Sequence, residues 1–192
     1  MSDKKGKLIV ISGPSGVGKS TISSEIVKRL DAFLPISVTT RPKGENEVDG
    51  QHYQFITGEE FKKGILEESF LEHAEVFGNH YGTLWQPVED ALEEGRTVLL
   101  EIDVQGGLAV KKIYNDVELV FIVPPQASDL QKRMDGRQRG EDEDSRKKRL
   151  EGASAETARA WQHYDHIVIN DDLETAINEI IDIIDGKTGE NK

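Results

Sequence analysis

Residues 13–20 read GPSGVGKS, a spacing of glycines, a lysine and a hydroxyl that suits one kind of chemistry, the grip of a phosphate chain. Gly13, Gly16 and Gly18 let the backbone turn tightly enough to aim N–H groups at an anion. Pro14, Ser15 and Val17 complete the loop, and Ser20 and Thr21 lead out of it into a helical pattern whose positive end adds to the attraction. Lys19 can reach the terminal phosphates of a nucleoside triphosphate, and the Ser20 hydroxyl can join the shell of a Mg²⁺ ion. The chemistry implied is nucleotide binding.

Such a loop needs a strand before it and a helix behind it, and both are written into the chain. The run Leu8–Ile11 precedes it, while Ile22, Ile26, Val27 and Leu30 fall on one helical face after it. Further apolar runs at Val98–Ile102, Leu119–Val123 and Ile167–Ile169 lack alternation, which predicts strands covered on both sides by helices, as in a parallel sheet. The spacing predicts a helix over 86–94, with Pro87 near its first turn, and a C-terminal helix whose stripe of Leu173, Ala176, Ile177, Ile180, Ile181 and Ile184 is core packing. Thr57 with Glu60 and Ser128 with Gln131 have the spacing of capping boxes. Residues 186–192 are polar and expected to fray. Trp85 and Trp161 are expected in the core, and the five histidines, lacking metal-ligand spacing, on the surface or in packing.

Composition narrows the field. The chain has 192 residues, which suits one domain, and no cysteine, which excludes disulfides and thiolate metal sites. Its 36 acids against 24 bases give a net charge of −12, a field that repels a nucleic-acid backbone. No apolar stretch is long enough to span a membrane, and the charged first residues lack the apolar run of a secretory signal, so a cytoplasmic location is expected. A phosphorylated substrate would also be repelled by that field. Any second nucleotide pocket must therefore be made positive locally. The segment from Ile36 to Trp85, rich in Gly, Thr and aromatic residues, reads as an insertion carrying such a pocket, and the stretch 133–149 is densely charged.

Beyond the loop, SVTTRPKGENEVDGQHYQF, FLEHAEVFGNHYGT, LLEIDVQGG and IVIND follow in order. Together with SGPSGVGKST they resemble the guanylate kinase family over essentially all of residues 7–185. The resemblance implies an α/β nucleoside monophosphate kinase fold with a central parallel sheet. It divides the chain into a core (about 7–35, 96–130 and 160–185), a GMP-binding insertion (about 36–90) and a helical lid (about 133–155). It implies transfer of the γ-phosphate of ATP to GMP, giving ADP and GDP, with Mg²⁺ bound beside the ATP. No nucleic acid or membrane partner is implied, and the protein would act as a monomer or homodimer.

Carried onto this chain, Ser37, Arg41, Tyr53, Tyr81 and Thr83 would surround GMP, with Arg41 and the two phenols on its phosphate. Glu72 would read guanine, whose N1–H and exocyclic amine form a donor edge that one carboxylate can accept; adenine presents an acceptor at N1 instead. Asp103 would assist at the base and, with Glu101, lie near metal and phosphates, so Ser20 and Asp103 are the expected metal residues. Arg137 and Arg149 resemble the family's catalytic lid arginines beside Lys19, and Arg133, one helical turn before Arg137, and Asn170 are placed with ATP. The DGR alignment favours Arg137 over Arg139. One departure stands out: the family's second phosphate-binding arginine falls at Gly44, leaving Lys43 as the neighbouring cation, and a lysine cannot copy a guanidinium fork. A peptide-binding scaffold of the same fold would be expected to lose Lys19 and the lid arginines, which this chain keeps. A kinase for another phosphorylated ribose compound would not need Glu72 or Asp103.

Overall fold

The near-continuous apolar runs pair side by side as one parallel sheet in the computed structural model, which describes residues 6–76, 78–126, 154 and 156–187. In chain order, β1 (Leu8–Ser12) leads into α1 (Lys19–Leu30), followed by β2 (Val38–Thr39), β3 (Gln54–Phe55), α2 (Gly58–Leu66), β4 (Phe70–Val76) and β5 (Asn79–Leu84). Then come α3 (Trp85–Glu93), β6 (Val98–Glu101), α4 (Val104–Ile113) and β7 (Glu118–Val123). Residues 156–163 are helical, and β8 (His166–Ile169) and α5 (Leu173–Asp185) follow. The first sheet has the order β6-β1-β7-β8, every pair parallel.

The lack of alternation in β1 has the expected cause, because both faces are covered. Ile9 and Ile11 enter one core with Ile22 and Ile26 of α1 and Ile177 and Ile180 of α5. Leu8 and Val10 point the other way, into a core with Val88 and Leu92 of α3 and Val110 of α4. Ile177 is 1% exposed at the centre of the first core. An Ile177→Ala variant is expected to lose about 3 kcal/mol of unfolding free energy, read from urea denaturation, because the cavity adds to the lost burial.

A second sheet, of order β3-β2-β5-β4, carries the segment between α1 and α3. Here β2 and β3 are parallel, whereas β5 runs antiparallel to both β2 and β4. Beside it α2 starts with the expected capping box: Glu60 N–H donates to the Thr57 hydroxyl oxygen, and Thr57 N–H donates to the Glu60 carboxylate. Phe61 of α2 is buried against the rings of Phe70 and His80. Although α3 begins within the stretch expected to form the insertion, its Val88, Ala91 and Leu92 pack with the first sheet.

Three local expectations are corrected. Trp161 is 65% exposed rather than core, because the helical segment turns Ala160 inward and its neighbour, about 100° further round, outward. Leu173, at the first position of α5, is exposed, while Ala176, Ile177, Ile180 and Ile184 are buried as expected. Gly186 and Lys187 do not fray. Gly186 takes a left-handed φ of 75°, and the Lys187 N–H donates to the Asp182 carbonyl, closing the helix. The Ser128/Gln131 box, Arg133, Arg137, Arg139, Arg149 and nearly all of the expected lid lie outside the described residues.

Candidate active site

The loop after β1 sits at the carboxyl ends of β1 and β7, where ligands bind in open α/β sheets. Its glycines answer to crowding. At Gly13 a Cβ would stand 2.5 Å from the Ile122 carbonyl oxygen; at Gly18, with φ 109°, it would meet the Asn170 amide at 2.6 Å. Gly18 is the N-cap of α1 and supplies no side chain, and the first turn holds no acid. A helix start with no side-chain cap and no acid in its first turn is a setting that favours an anion. Lys19 Nζ donates to the Gly13 and Pro14 carbonyls at 2.6 and 3.2 Å, which keeps the ammonium folded over the loop.

Asn170, expected with ATP, is buried behind the loop and donates to the Val17 carbonyl at 2.7 Å. It braces the loop from the β8 side. The Ser20 hydroxyl donates to Glu101 Oε1 at 2.8 Å, so the carboxylate beside Ser20 is that of Glu101, at the end of β6. Asp103 is used differently. Its Oδ1 accepts from the Gly106 N–H at 2.8 Å and caps α4.

Glu72 lies on β4, opposite Thr83 of β5. A register irregularity between Phe70 and Glu72 interrupts the pairing there, a device that commonly re-aims a side chain. Glu72 is 6% exposed, and its Oε1 accepts from the Thr83 hydroxyl at 2.7 Å. Its other oxygen lies against the first turn of α4, so close that a Cβ on Gly106 would come within 2.5 Å of it. Burial, with a smaller contribution from the Asp103 charge, pushes the Glu72 carboxyl up to about 7; the Thr83 hydroxyl and N–H oppose that shift.

Arg41 leaves the end of β2 and lies over the rings of Tyr53 and Phe55, 5.0 and 5.3 Å from their centroids. Tyr53 meets Tyr81 edge to face at 6.0 Å. Burial raises the Tyr53 phenol, and the Glu101 carboxylate raises it further. Glu101 thus has Ser20 as a hydrogen-bond partner and Tyr53 within electrostatic reach. Ser37 is half-buried and its carbonyl accepts from the Gln54 N–H, while Lys43 is exposed and donates to the Glu47 carbonyl at 3.1 Å.

Three features escaped sequence reading. Tyr164 donates to Ser12 Oγ, which donates to the Ile102 carbonyl, both at 2.7 Å, tying the ends of β1 and β6 to the segment before β8. Glu156, largely buried, has its carboxyl pushed up by that burial, with Lys19 and Asp103 as electrostatic neighbours. Glu47 binds Arg41. The six-residue separation of Arg41 and Glu47 was the only hint of that pair, and acids are too common in this chain for it to stand out. Among the described residues no group of three or more His, Asp or Glu is placed to hold a metal ion.

The family model described as guanylate kinase matches residues 5–187. The guanylate kinase of Carboxydothermus hydrogenoformans is 49% identical over 179 residues, covering 92% of this chain and 86% of that protein. That of Synechocystis sp. is 45% identical, covering 94% of each. The crystal structure of guanylate kinase from Anaplasma phagocytophilum superimposes with a TM-score of 0.81 at 30% identity, covering 100% of this chain and 90% of that one. The family match across residues 5–187 and relatives up to 49% identical over most of the chain show that the chain belongs to the guanylate kinase family.

Proposed function

We propose that the protein transfers the γ-phosphoryl group of MgATP to the phosphate of GMP, giving ADP and GDP in purine nucleotide metabolism. The observation that carries this reading is Glu72. Its buried carboxylate has one oxygen held by Thr83, and it adjoins Asp103, which shares Glu156 as a neighbour with Lys19. A buried carboxylate with an accepting edge suits guanine's donors, and an acceptor at the same place would leave two lone pairs opposed.

The acceptor is a phosphate monoester, largely a dianion at neutral pH because its second pKa is about 6, so the transfer needs no general base. The work of the site is to bring two polyanions together in line and to offset charge on the moving group. On this reading the amides of Gly13–Thr21 cradle the triphosphate and Lys19 unfolds from its own loop onto the terminal phosphates. Arg41, Tyr53 and Tyr81 take the GMP phosphate, and Ser37, Glu72, Thr83 and Asp103 take the base. Ser20 and Glu101 set two hard oxygen donors 2.8 Å apart, a set that fits Mg²⁺, which binds few protein ligands and keeps water and phosphate in its shell. When bound, the ion supplies charge neutralisation between the phosphates. Arg133, Arg137 and Arg149 are proposed to add positive charge from the lid, and Asn170 to act on ATP through the loop that it braces.

The reading holds for a monomer or a homodimer. No helix among the described residues is long and apolar enough to cross a membrane, and a cytoplasmic place goes with the use of both nucleotides. A coupled ADP-release assay with GMP, dGMP, AMP, CMP and UMP tests the reading. GMP is expected to exceed AMP by at least about a hundredfold in kcat/KM, as the loss of matched buried donors demands. Equal use of GMP and AMP would refute the role of Glu72.

A further inference from the structure

The Arg41 guanidinium is engaged before any phosphate reaches it. Its Nη1 and Nη2 donate to Glu47 Oε2 and Oε1, each at 2.5 Å, in a bidentate pair. Nη1 also donates to the Pro42 carbonyl at 3.0 Å. Glu47 is in turn fixed by the Gly44 N–H, which donates to Oε2 at 2.8 Å. Gly44, at the position of the family's second phosphate-binding arginine, and its neighbour Lys43 thus both serve Glu47, Lys43 through the backbone carbonyl. The Arg41 fork holds the Glu47 carboxyl down at about 2, and the pair is only about a quarter exposed.

A guanidinium has five N–H donors in a fixed plane. Glu47 takes two on the end-on edge and Pro42 takes the remaining one on Nη1. The two left over, on Nε and Nη2, lie side by side along the other edge of the plane. They form a second fork of the width that two phosphate oxygens span. The rings of Tyr53 and Phe55 lie against the guanidinium, their centroids 5.0 and 5.3 Å from its Cζ.

Building on the GMP reading above, we propose that Glu47 is a positioning residue: it clamps the end-on edge of Arg41 so that the Nε/Nη2 edge is presented to the phosphate of GMP. In a chain lacking a second arginine at position 44, that single pre-set fork carries the directional recognition of the phosphate. Glu47 acts through Arg41 and does not touch the nucleotide.

The test is steady-state kinetics on Glu47→Ala, Glu47→Gln, Arg41→Ala and the double variant Glu47→Ala/Arg41→Ala, with guanosine as a competitive inhibitor that lacks the phosphate. Glu47→Ala is expected to raise KM for GMP about tenfold while KM for ATP and the guanosine inhibition constant stay unchanged. Glu47→Gln, which retains one accepting oxygen, should fall between it and the parent. In the Arg41→Ala background the Glu47→Ala change should raise KM for GMP no further. A lower KM for GMP in Glu47→Ala would show that Glu47 competes with the phosphate, and would overturn the proposal. So would a further tenfold rise in the double variant, since Glu47 would then act independently of Arg41. An Arg41→Ala enzyme with unaltered KM for GMP would strike at the phosphate pocket itself and remove the basis of the inference.

Discussion

Replacing Lys19 by Ala is expected to lower kcat by about a thousandfold or more while leaving the thermal unfolding midpoint within a few degrees of the parent. The magnitude follows from the task. The moving phosphoryl group carries charge on its equatorial oxygens, and a fixed ammonium inside a partly closed cleft stabilises that charge far more than water does. The small effect on folding follows from geometry. Lys19 Nζ donates to the Gly13 and Pro14 carbonyls, part-buried hydrogen bonds whose net worth is about 1 kcal/mol each, small beside the whole fold. Lys19 is only half-buried, whereas Asn170 behind the loop is buried and its amide holds the Val17 carbonyl. Differential scanning calorimetry together with single-turnover transfer separates the two quantities. A Lys19→Ala protein that melts far below the parent would assign the residue to the loop's architecture, and a variant retaining near-parent transfer would remove it from the chemistry.

The parts of this site that were legible in the sequence are those whose physics is local. A glycine-rich loop between an apolar run and a helix announces itself, because turn, backbone N–H groups and helix end all lie within residues 13–20. The two-sided burial of β1 was likewise readable, since an apolar run without alternation has few other uses. Family motifs placed Glu72, Arg41 and Tyr53 in the chain, but not their partners. The Glu72–Thr83 bond depends on antiparallel register between β4 and β5, with an irregularity beside Glu72, and register is a property of the sheet. The Arg41–Glu47 clamp and the Tyr164–Ser12–Ile102 relay join residues whose types are ordinary and whose meeting is set by tertiary packing. Trp161 shows the converse: a residue type usually buried is turned outward by helical phase alone. Glu101 beside Ser20, with Asp103 capping α4, could not be sorted from sequence either, because the two acids stand two residues apart at the end of one apolar run.

At Glu72 function and stability should pull in opposite directions, and pH separates them. The carboxyl titrates near 7, pushed up chiefly by burial, so lowering the pH below 7 protonates it and removes the acceptor that guanine's second donor needs. Affinity for the base is then expected to fall about tenfold per pH unit below that value and to level off above it. GMP is a poor probe of this, as its own phosphate titrates at about 6. Guanosine, used as a competitive inhibitor between pH 5.5 and 8, isolates the base. In a Glu72→Gln variant the guanosine profile should be flat and kcat/KM for GMP lower by about a hundredfold, with KM for ATP near that of the parent. The sign for folding is the reverse. A carboxyl whose pKa is raised from 4.5 to about 7 by folding contributes its full stability below the unfolded value, and that contribution is lost as pH rises through 7. Glu72→Gln carries no charge to desolvate, so at pH 8 it should unfold at higher denaturant than the parent, with a gain of up to about 3 kcal/mol that shrinks to nothing near pH 4. A flat guanosine profile in the parent enzyme would dispose of Glu72 as the guanine reader. A variant less stable than the parent at pH 8 would show that the Thr83 bond outweighs the cost of burying the charge, and that the site is built on a carboxylate that the fold itself favours.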